Sequence, residues 1–171
     1  MPRRPAGFTL IELVVVLAIV GLGLVVAVPR LLSLTEANLR RASRELATAV
    51  RYLAARAVTE QSVFRLHYDL DRREYWITRQ QGQEAREVPD PVLRRTGLPG
   101  GVRFRDVTTP RQGSVTEGEI VTRFTPAGWA EPTAIHLEDG RGHEQTVLIL
   151  PFAARPRVFD RYVPLTPTSQ P

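Results

Sequence analysis

The feature that most constrains this chain is a run of sixteen residues without a polar side chain, LVVVLAIVGLGLVVAV at positions 13–28. Residues 8–11 extend it toward the N-terminus, with only Thr9 and Glu12 interrupting. Written as a helix, residues 8–28 would be about 31 Å long at 1.5 Å per residue, close to the hydrocarbon thickness of a bilayer. Such a segment can span. Seven residues, MPRRPAG, stand ahead of it, and Arg3 and Arg4 are their sole charges. The positive-inside rule therefore keeps this end in the cytoplasm and sends the rest of the chain across.

A cleaved secretory signal also has a short basic start and an apolar core. Three features argue against one: the apolar stretch is too long, Glu12 sits inside its beginning, and the small-residue site at its end, around Ala27, is closely followed by Pro29. Beyond the apolar run, the 171 residues leave room for one domain with a sizeable core. The net charge is +5, and all 23 basic residues are arginine. That raises the isoelectric point without identifying a partner. The absence of cysteine excludes disulfides, thiolate zinc sites, iron–sulfur clusters and a cysteine nucleophile.

No arrangement of residues in the sequence reads as catalytic. His67, His136 and His143 have no HExxH or comparable spacing, and no serine stands in a G-x-S-x-G turn. There is no Gly-rich phosphate loop, and the chain has no lysine to serve one. His136, Glu138, Asp139 and His143 gather around one expected hairpin, which reads as a solvated polar turn in preference to a metal site. The expectation is a protein that is not an enzyme and that uses no cofactor and no metal.

The string G-F-T-L-I-E at Gly7 to Glu12 carries a specific resemblance. A short basic leader ending in Gly, then Phe, then an apolar span with Glu at the fifth position after the glycine, resembles the class III signal of type IV pilins and type II secretion pseudopilins. The resemblance implies cleavage by a prepilin peptidase between Gly7 and Phe8, and methylation of the new amino group on Phe8. Pro29 also falls where members of that family commonly carry a proline. Physical chemistry gives the motif a purpose of its own. An intramembrane carboxylate costs a few kcal/mol unless it is neutralised or paired. Cleavage creates the partner, a cation on Phe8 at nearly the depth of Glu12, and in a stack of subunits the amine of one meets the carboxylate of the next. Glu12 is then an assembly residue.

Past the membrane segment the apolar residues Leu39, Ala42, Leu46, Ala49, Val50, Leu53 and Ala57 form a stripe with a 3.6-residue period, while Arg40, Arg41, Arg44, Glu45 and Arg51 lie mostly off it. The pattern predicts one helix over residues 8–59, with a bend or local unwinding at Pro29. After Glu60 the pattern changes to short alternating strands at 64–69, 74–78, 102–107, 119–124, 133–137 and 145–150. Residues 80–91 and 108–118 read as loops, and 164–171 as a disordered tail. The fold class is α+β: a long N-terminal helix, transmembrane in its first half, packed on antiparallel sheet as in type IV pilins.

FTPAGWAEP at 124–132 carries a second resemblance. Phe124, Pro126 and Gly128, followed by a strand, a Gly-containing turn and a final strand, look like the C-terminal part of the GspH/FimT-like minor pseudopilins and minor pilins. This resemblance implies a minor pseudopilin of the type II secretion system, placed near the pseudopilus tip and helping to initiate assembly and export across the outer membrane. Its partners would be the other minor pseudopilins, the major pseudopilin, the prepilin peptidase, the inner-membrane assembly platform and the lipid bilayer. It would be a single-pass protein of the bacterial inner membrane with its C-terminal domain in the periplasm. The expected organisation is a leader at 1–7, a transmembrane helix at 8–28, a periplasmic amphipathic helix at 29–60, a β-rich domain at 61–163 and the tail. The alternative is a FimT-like type IV minor pilin that binds nucleic acid during pilus biogenesis or DNA uptake. Arg155, Arg157 and Arg161 resemble the arginine-rich stretch that carries that activity, with Ala154 and Pro156 departing from its pattern.

Overall fold

The computed structural model describes residues 9–81, 84–87, 90, 94–152 and 155–165, with the side chains of residues 24–34, 81 and 85 left aside. It divides into two compact units, Met1–Leu34 and Thr35–Pro171.

Helix α1 spans Leu10–Thr59. Its helical assignment is unbroken through Pro29, so the local unwinding expected there is absent. One missing N–H is a small loss in a helix of 50 residues whose flanking bonds remain. In the first unit Leu10, Ile11, Leu13, Val14, Leu17, Ile19, Val20 and Leu22 are all exposed, and they occupy every side of the helix. Among the described residues no helix is long and apolar enough to cross a membrane. The described side chains of this unit stop at Gly23, whereas the apolar run in the sequence goes on to Val28.

In the second unit the stripe is buried as its period dictates: Leu46, Leu53 and Ala57 are 0% exposed, and Leu39, Ala42, Ala49 and Val50 nearly so. The helix ends in a Schellman arrangement. Gln61 takes a φ of 48°, the Ser62 N–H donates to the Ala57 carbonyl at 3.2 Å, and the Gln61 N–H donates to the Val58 carbonyl at 3.4 Å.

The stripe packs on two antiparallel sheets. The first contains β1 (Phe64–Asp69), β2 (Glu74–Gln81), β3 (Glu84–Glu87), β4 (Thr96–Gly97) and β7 (Glu119–Phe124), in the order β3-β2-β1-β7 with β4 also against β2. The second has the order β10-β9-β8-β5-β6, from β5 (Val102–Thr109), β6 (Gly113–Val115), β8 (Thr133–Asp139), β9 (Glu144–Ile149) and β10 (Arg157–Phe159). Alternation sends Phe64, Leu66 and Tyr68 of β1 inward with Ile77 and Ile120 of its neighbours, and Ile135, Leu137, Val147 and Ile149 inward from the second sheet. Helix stripe and both sheets share one core cluster. A polar seam runs through it and is satisfied internally: the Tyr68 hydroxyl lies 3.2 Å from Thr122 Oγ1, which lies 2.9 Å from Thr133 Oγ1.

Four short strands were not expected from the sequence. Residues 80–91 contain β3, whose EARE has poor strand propensity but pairs with the extension of β2 to Gln81. A charged segment suits an edge, and the free ladder of β2 outweighs local preference. Residues 108–118 contain β6, which folds back on β5 across Thr109 and Gly113. β4 and β10 have two and three residues, too few to show a period. Strand β5 also departs from simple alternation. Its pairing with β8 shifts between Phe104 and Asp106, so Arg105 is an extra, bulged residue. Val102 and Phe104 point inward before the bulge and Val107 points inward after it, while Asp106 is turned outward opposite His136.

Burial of the stripe makes a fragment beginning at Thr35 a folded, soluble monomer, whereas one beginning at Gln61 exposes the inner sheet faces and aggregates. Size-exclusion chromatography and circular dichroism of the two fragments check this. Within the longer fragment, Leu46→Ala or Leu53→Ala lowers the unfolding free energy by about 2–5 kcal/mol in urea titration.

Candidate functional site

The N-terminal motif and the C-terminal arginines are the two sites marked by the sequence. Gly7 and Phe8, the expected cleavage and methylation residues, lie outside the described residues. Thr9 is the residue before α1, and its Oγ1 accepts the Glu12 N–H at 3.3 Å. The Leu13 N–H donates to the Thr9 carbonyl at 3.2 Å, the first bond of the helix. Thr9 is thus an N-cap and Glu12 stands at the third helical position, the T-x-x-E spacing of a capping box. The signal was present in the sequence, inside the same string that carries the processing motif. Glu12 is exposed, and among the described residues its carboxylate has no hydrogen-bonded partner. At this end of the helix the aligned peptide dipoles favour a negative charge.

The three arginines are all exposed, and among the described residues none of them forms an ion pair. Arg157 stands in β10 opposite Leu148, and Arg161 is fixed through its backbone carbonyl, which accepts the Thr146 hydroxyl at 2.7 Å. Residues 160–163 therefore lie on the second sheet in an ordered path; of the expected tail, residues 166–171 lie outside the described residues.

The histidines do not assemble a metal site, and among the described residues no group of three or more His, Asp or Glu side chains could hold one. His143 Nδ1 lies 2.8 Å from Asp139 Oδ2, inside the β8–β9 turn. His136 corrects the sequence reading. It is 1% exposed and belongs to the covered outer face of the second sheet, not to a solvated hairpin. Its Nδ1 lies 2.7 Å from Asp106 Oδ1, a contact between residues 30 positions apart that only the β5 bulge creates.

Three carboxylates are held below their ordinary range. Burial works to raise Asp106, but the hydrogen bond and charge of His136, with the hydroxyls of Thr108 and Ser114, outweigh it. Burial likewise opposes Asp139, and the His143 ring with the Arg141 and His143 backbone N–H groups prevails. Glu60 is lowered first by its hydrogen bond from Arg56 and then by Arg79, whose Nη1 donates to it at 3.1 Å. Arg56 also pairs with Asp90, whose side chain is 0% exposed, and lies over the Phe64 ring at 5.1 Å, closing the C-terminal end of the helix against the sheet.

Comparison with known proteins matches both ends of this description. Residues 2–28 match the family described as the prokaryotic N-terminal methylation motif. No curated protein matches the chain by sequence. Two solved structures of the minor pseudopilin EpsH from the type 2 secretion system of Vibrio cholerae share the fold. One aligns over 72% of this chain and 97% of its own with a TM-score of 0.58 at 12% identity. The other aligns over 67% and 95% with a TM-score of 0.53 at 13% identity. The chain carries a prepilin-type methylation motif on the fold of a minor pseudopilin, a long helix against antiparallel sheets.

Depressed carboxylates stabilise the folded state above the unfolded-state carboxylate pKa, near about 4, and lose that contribution as pH falls through their lower folded-state values. The contribution of these carboxylates to the stability of the fragment beginning at Thr35 is therefore complete at neutral pH and is lost below about pH 4. Asp139→Asn makes the acid limb shallower in urea titrations across that range.

Proposed function

We propose that this chain is the precursor of a minor pseudopilin of the type II secretion system. The observation that carries the reading is the coincidence, in one chain, of the methylation motif at residues 2–28 with a fold that covers 97% of a minor pseudopilin. Neither feature requires the other. Processing between Gly7 and Phe8 leaves a methylated Phe8 at the start of the mature chain. Residues 8–28 anchor it in the inner membrane with the N-terminus cytoplasmic, and residues 29–60 and 61–163 form the helix and domain on the periplasmic side. The all-round exposure of apolar side chains on the first helical unit supports this, since water is a poor solvent for them and lipid or neighbouring helices a good one.

Within such an assembly the chain enters the pseudopilus near its tip and joins the other minor subunits to the major pseudopilin, on the inner-membrane platform. Glu12 supplies the contact that sets axial register. The Thr9 hydroxyl takes up its backbone N–H, so its carboxylate is free to receive the Phe8 amine of an adjacent subunit. Each charge offsets the desolvation cost of the other. The exposed Arg155, Arg157 and Arg161, which form no ion pair among the described residues, favour one competing reading, a type IV minor pilin that meets DNA phosphates during uptake. Tight, salt-sensitive binding of duplex DNA by the purified protein, lost on changing all three arginines to alanine, would select that reading over secretion.

Two measurements test the proposal. Intact mass of the membrane-extracted protein is expected to begin at Phe8 with one added methyl group, and a mature terminus near Val28 or a retained Met1 contradicts it. Glu12→Ala is expected to leave processing and insertion intact while weakening association with other pseudopilins by about 3–5 kcal/mol, the usual cost of stranding one member of a buried pair. Glu12→Gln recovers part of that loss. Crosslinking to the other subunits, read beside export of a reporter, measures both, and full association by Glu12→Ala rejects the contact.

A further inference from the structure

We propose that a cleft between the first turns of the second unit's helix and the β9–β10 edge of the second sheet receives a guanidinium group, the side chain of an arginine on another polypeptide. The proposal is independent of the secretion reading.

The cleft follows from a polar residue at a core position of β9. Val147 and Ile149 face inward along that strand, and alternation puts Gln145 on the same face, 5% exposed, where Leu39 and Arg40 of the helix line the opening with it. A buried amide needs a partner at each end. Gln145 Nε2 donates to Asp160 Oδ1 at 2.5 Å. An ionised carboxylate only accepts, so this contact fixes which end of the amide is nitrogen and leaves Oε1 as the other end. Among the described residues Oε1 is buried without a donor. The Asp160 carboxylate receives that one amide and, among the described residues, no further donor.

The space beside these groups is large enough for a side chain. A cavity of about 420 Å³ is lined by Glu36, Leu39, Arg40, Gln145, Asp160 and Arg161, among others. It adjoins one of about 240 Å³ that shares Arg40, Gln145 and Asp160 and adds Arg44 and Val158. One water takes about 30 Å³.

The chemistry of the lining selects the occupant. Both unmet groups are acceptors, joined through a single amide, so a group that satisfies them carries several N–H donors in one piece. Among the described residues no set of three or more His, Asp or Glu side chains could hold a metal instead. The other carboxylates of the cleft already hold arginines of this chain, Glu36 with Arg40 at 2.6 Å and Glu144 with Arg105. Tyr162 also lines the cleft, but its ring is engaged by His136 at 3.8 Å and by Arg105 at 4.9 Å, which leaves recognition to the acceptors. Arg44 and Arg161 are exposed and, among the described residues, neither pairs with Asp160. A guanidinium is flat and carries five donors in a fork, so one edge meets the Asp160 carboxylate while a further N–H meets Gln145 Oε1. Leu39 and Val158 offer apolar surface to its methylene stem. An ammonium has the charge without the fork.

The test uses the full chain in detergent micelles with 15N-labelled glutamine. The sequence holds seven glutamines, and the Gln145 side-chain amide is assigned by its absence in Gln145→Leu. The probes are arginine, lysine and citrulline, each blocked as the N-acetyl N′-methylamide; citrulline keeps the planar shape of arginine and lacks its charge. Blocked arginine is expected to shift the Gln145 amide saturably, half-complete at about 1–10 mM, with lysine and citrulline each weaker by about tenfold or more. Asp160→Asn, a change at an exposed residue, is expected to weaken arginine binding by about tenfold. No saturable shift in the wild-type chain, the outcome if a water or Arg44 satisfies Oε1, overturns the site. Citrulline or lysine binding as tightly as arginine, or arginine binding unchanged in Asp160→Asn, overturns the assignment of a guanidinium.

Discussion

Burial of one helical stripe between two sheets is the interaction on which the second unit depends. Among the described residues the sheets share no hydrogen-bonded strand pair, so strand pairing does not unite them. Leu39, Leu46 and Leu53 are buried in one cluster with side chains of both sheets, and Ala42, Ala49 and Ala57 of the same stripe are small enough to let the helix approach closely. At about 1.5–3 kcal/mol for each fully buried leucine, three of them rival the net stability of an ordinary domain. The ion pairs at the end of the helix fix its position against the sheet. Arg56 with Asp90 and Glu60, and Glu60 with Arg79, orient the last turn over Phe64.

What was legible in the sequence follows from which forces are local. The stripe from Leu39 to Ala57 and the alternation of Phe64, Leu66 and Tyr68 are periods written in consecutive residues, and they report burial directly. β3, β4, β6 and β10 are strands because a neighbouring ladder was open, and no period within two to four residues records that. The Asp106–His136 pair was invisible for a further reason. Counting alternation along β5 from Val102 puts Arg103 and Arg105 outside and Asp106 inside, and only the pairing with β8 reveals the extra residue.

The two marked sites differ in the same way. The N-terminal motif is contiguous, so its processing chemistry and its helix cap are both readable from Gly7 to Glu12, although the cap lies hidden under the stronger signal. The C-terminal stretch read as basic and proline-bearing, with a disordered tail only from residue 164. Its arginine side chains are indeed exposed, but its backbone is held by Thr146 and His136, side chains of strands that precede it by 15 to 27 residues. Composition describes what such a segment shows to solvent and is silent on what its carbonyls meet.

The bulge at Arg105 gives β5 a change of parity. Before it, even-numbered positions face the core; after it, odd-numbered ones do, as Phe104 and Val107 show. Removing that one residue would not merely shorten the strand. It would reassign inside and outside for everything between the deletion and the turn at Thr109, setting a carboxylate among leucines and an apolar side chain in water. The same deletion in the turn after Thr109 would alter only the path of a connection. Tolerance to insertion and deletion along this stretch is thus set by phase, not by distance from the core, and Arg105, an exposed residue paired with Glu144, holds the phase.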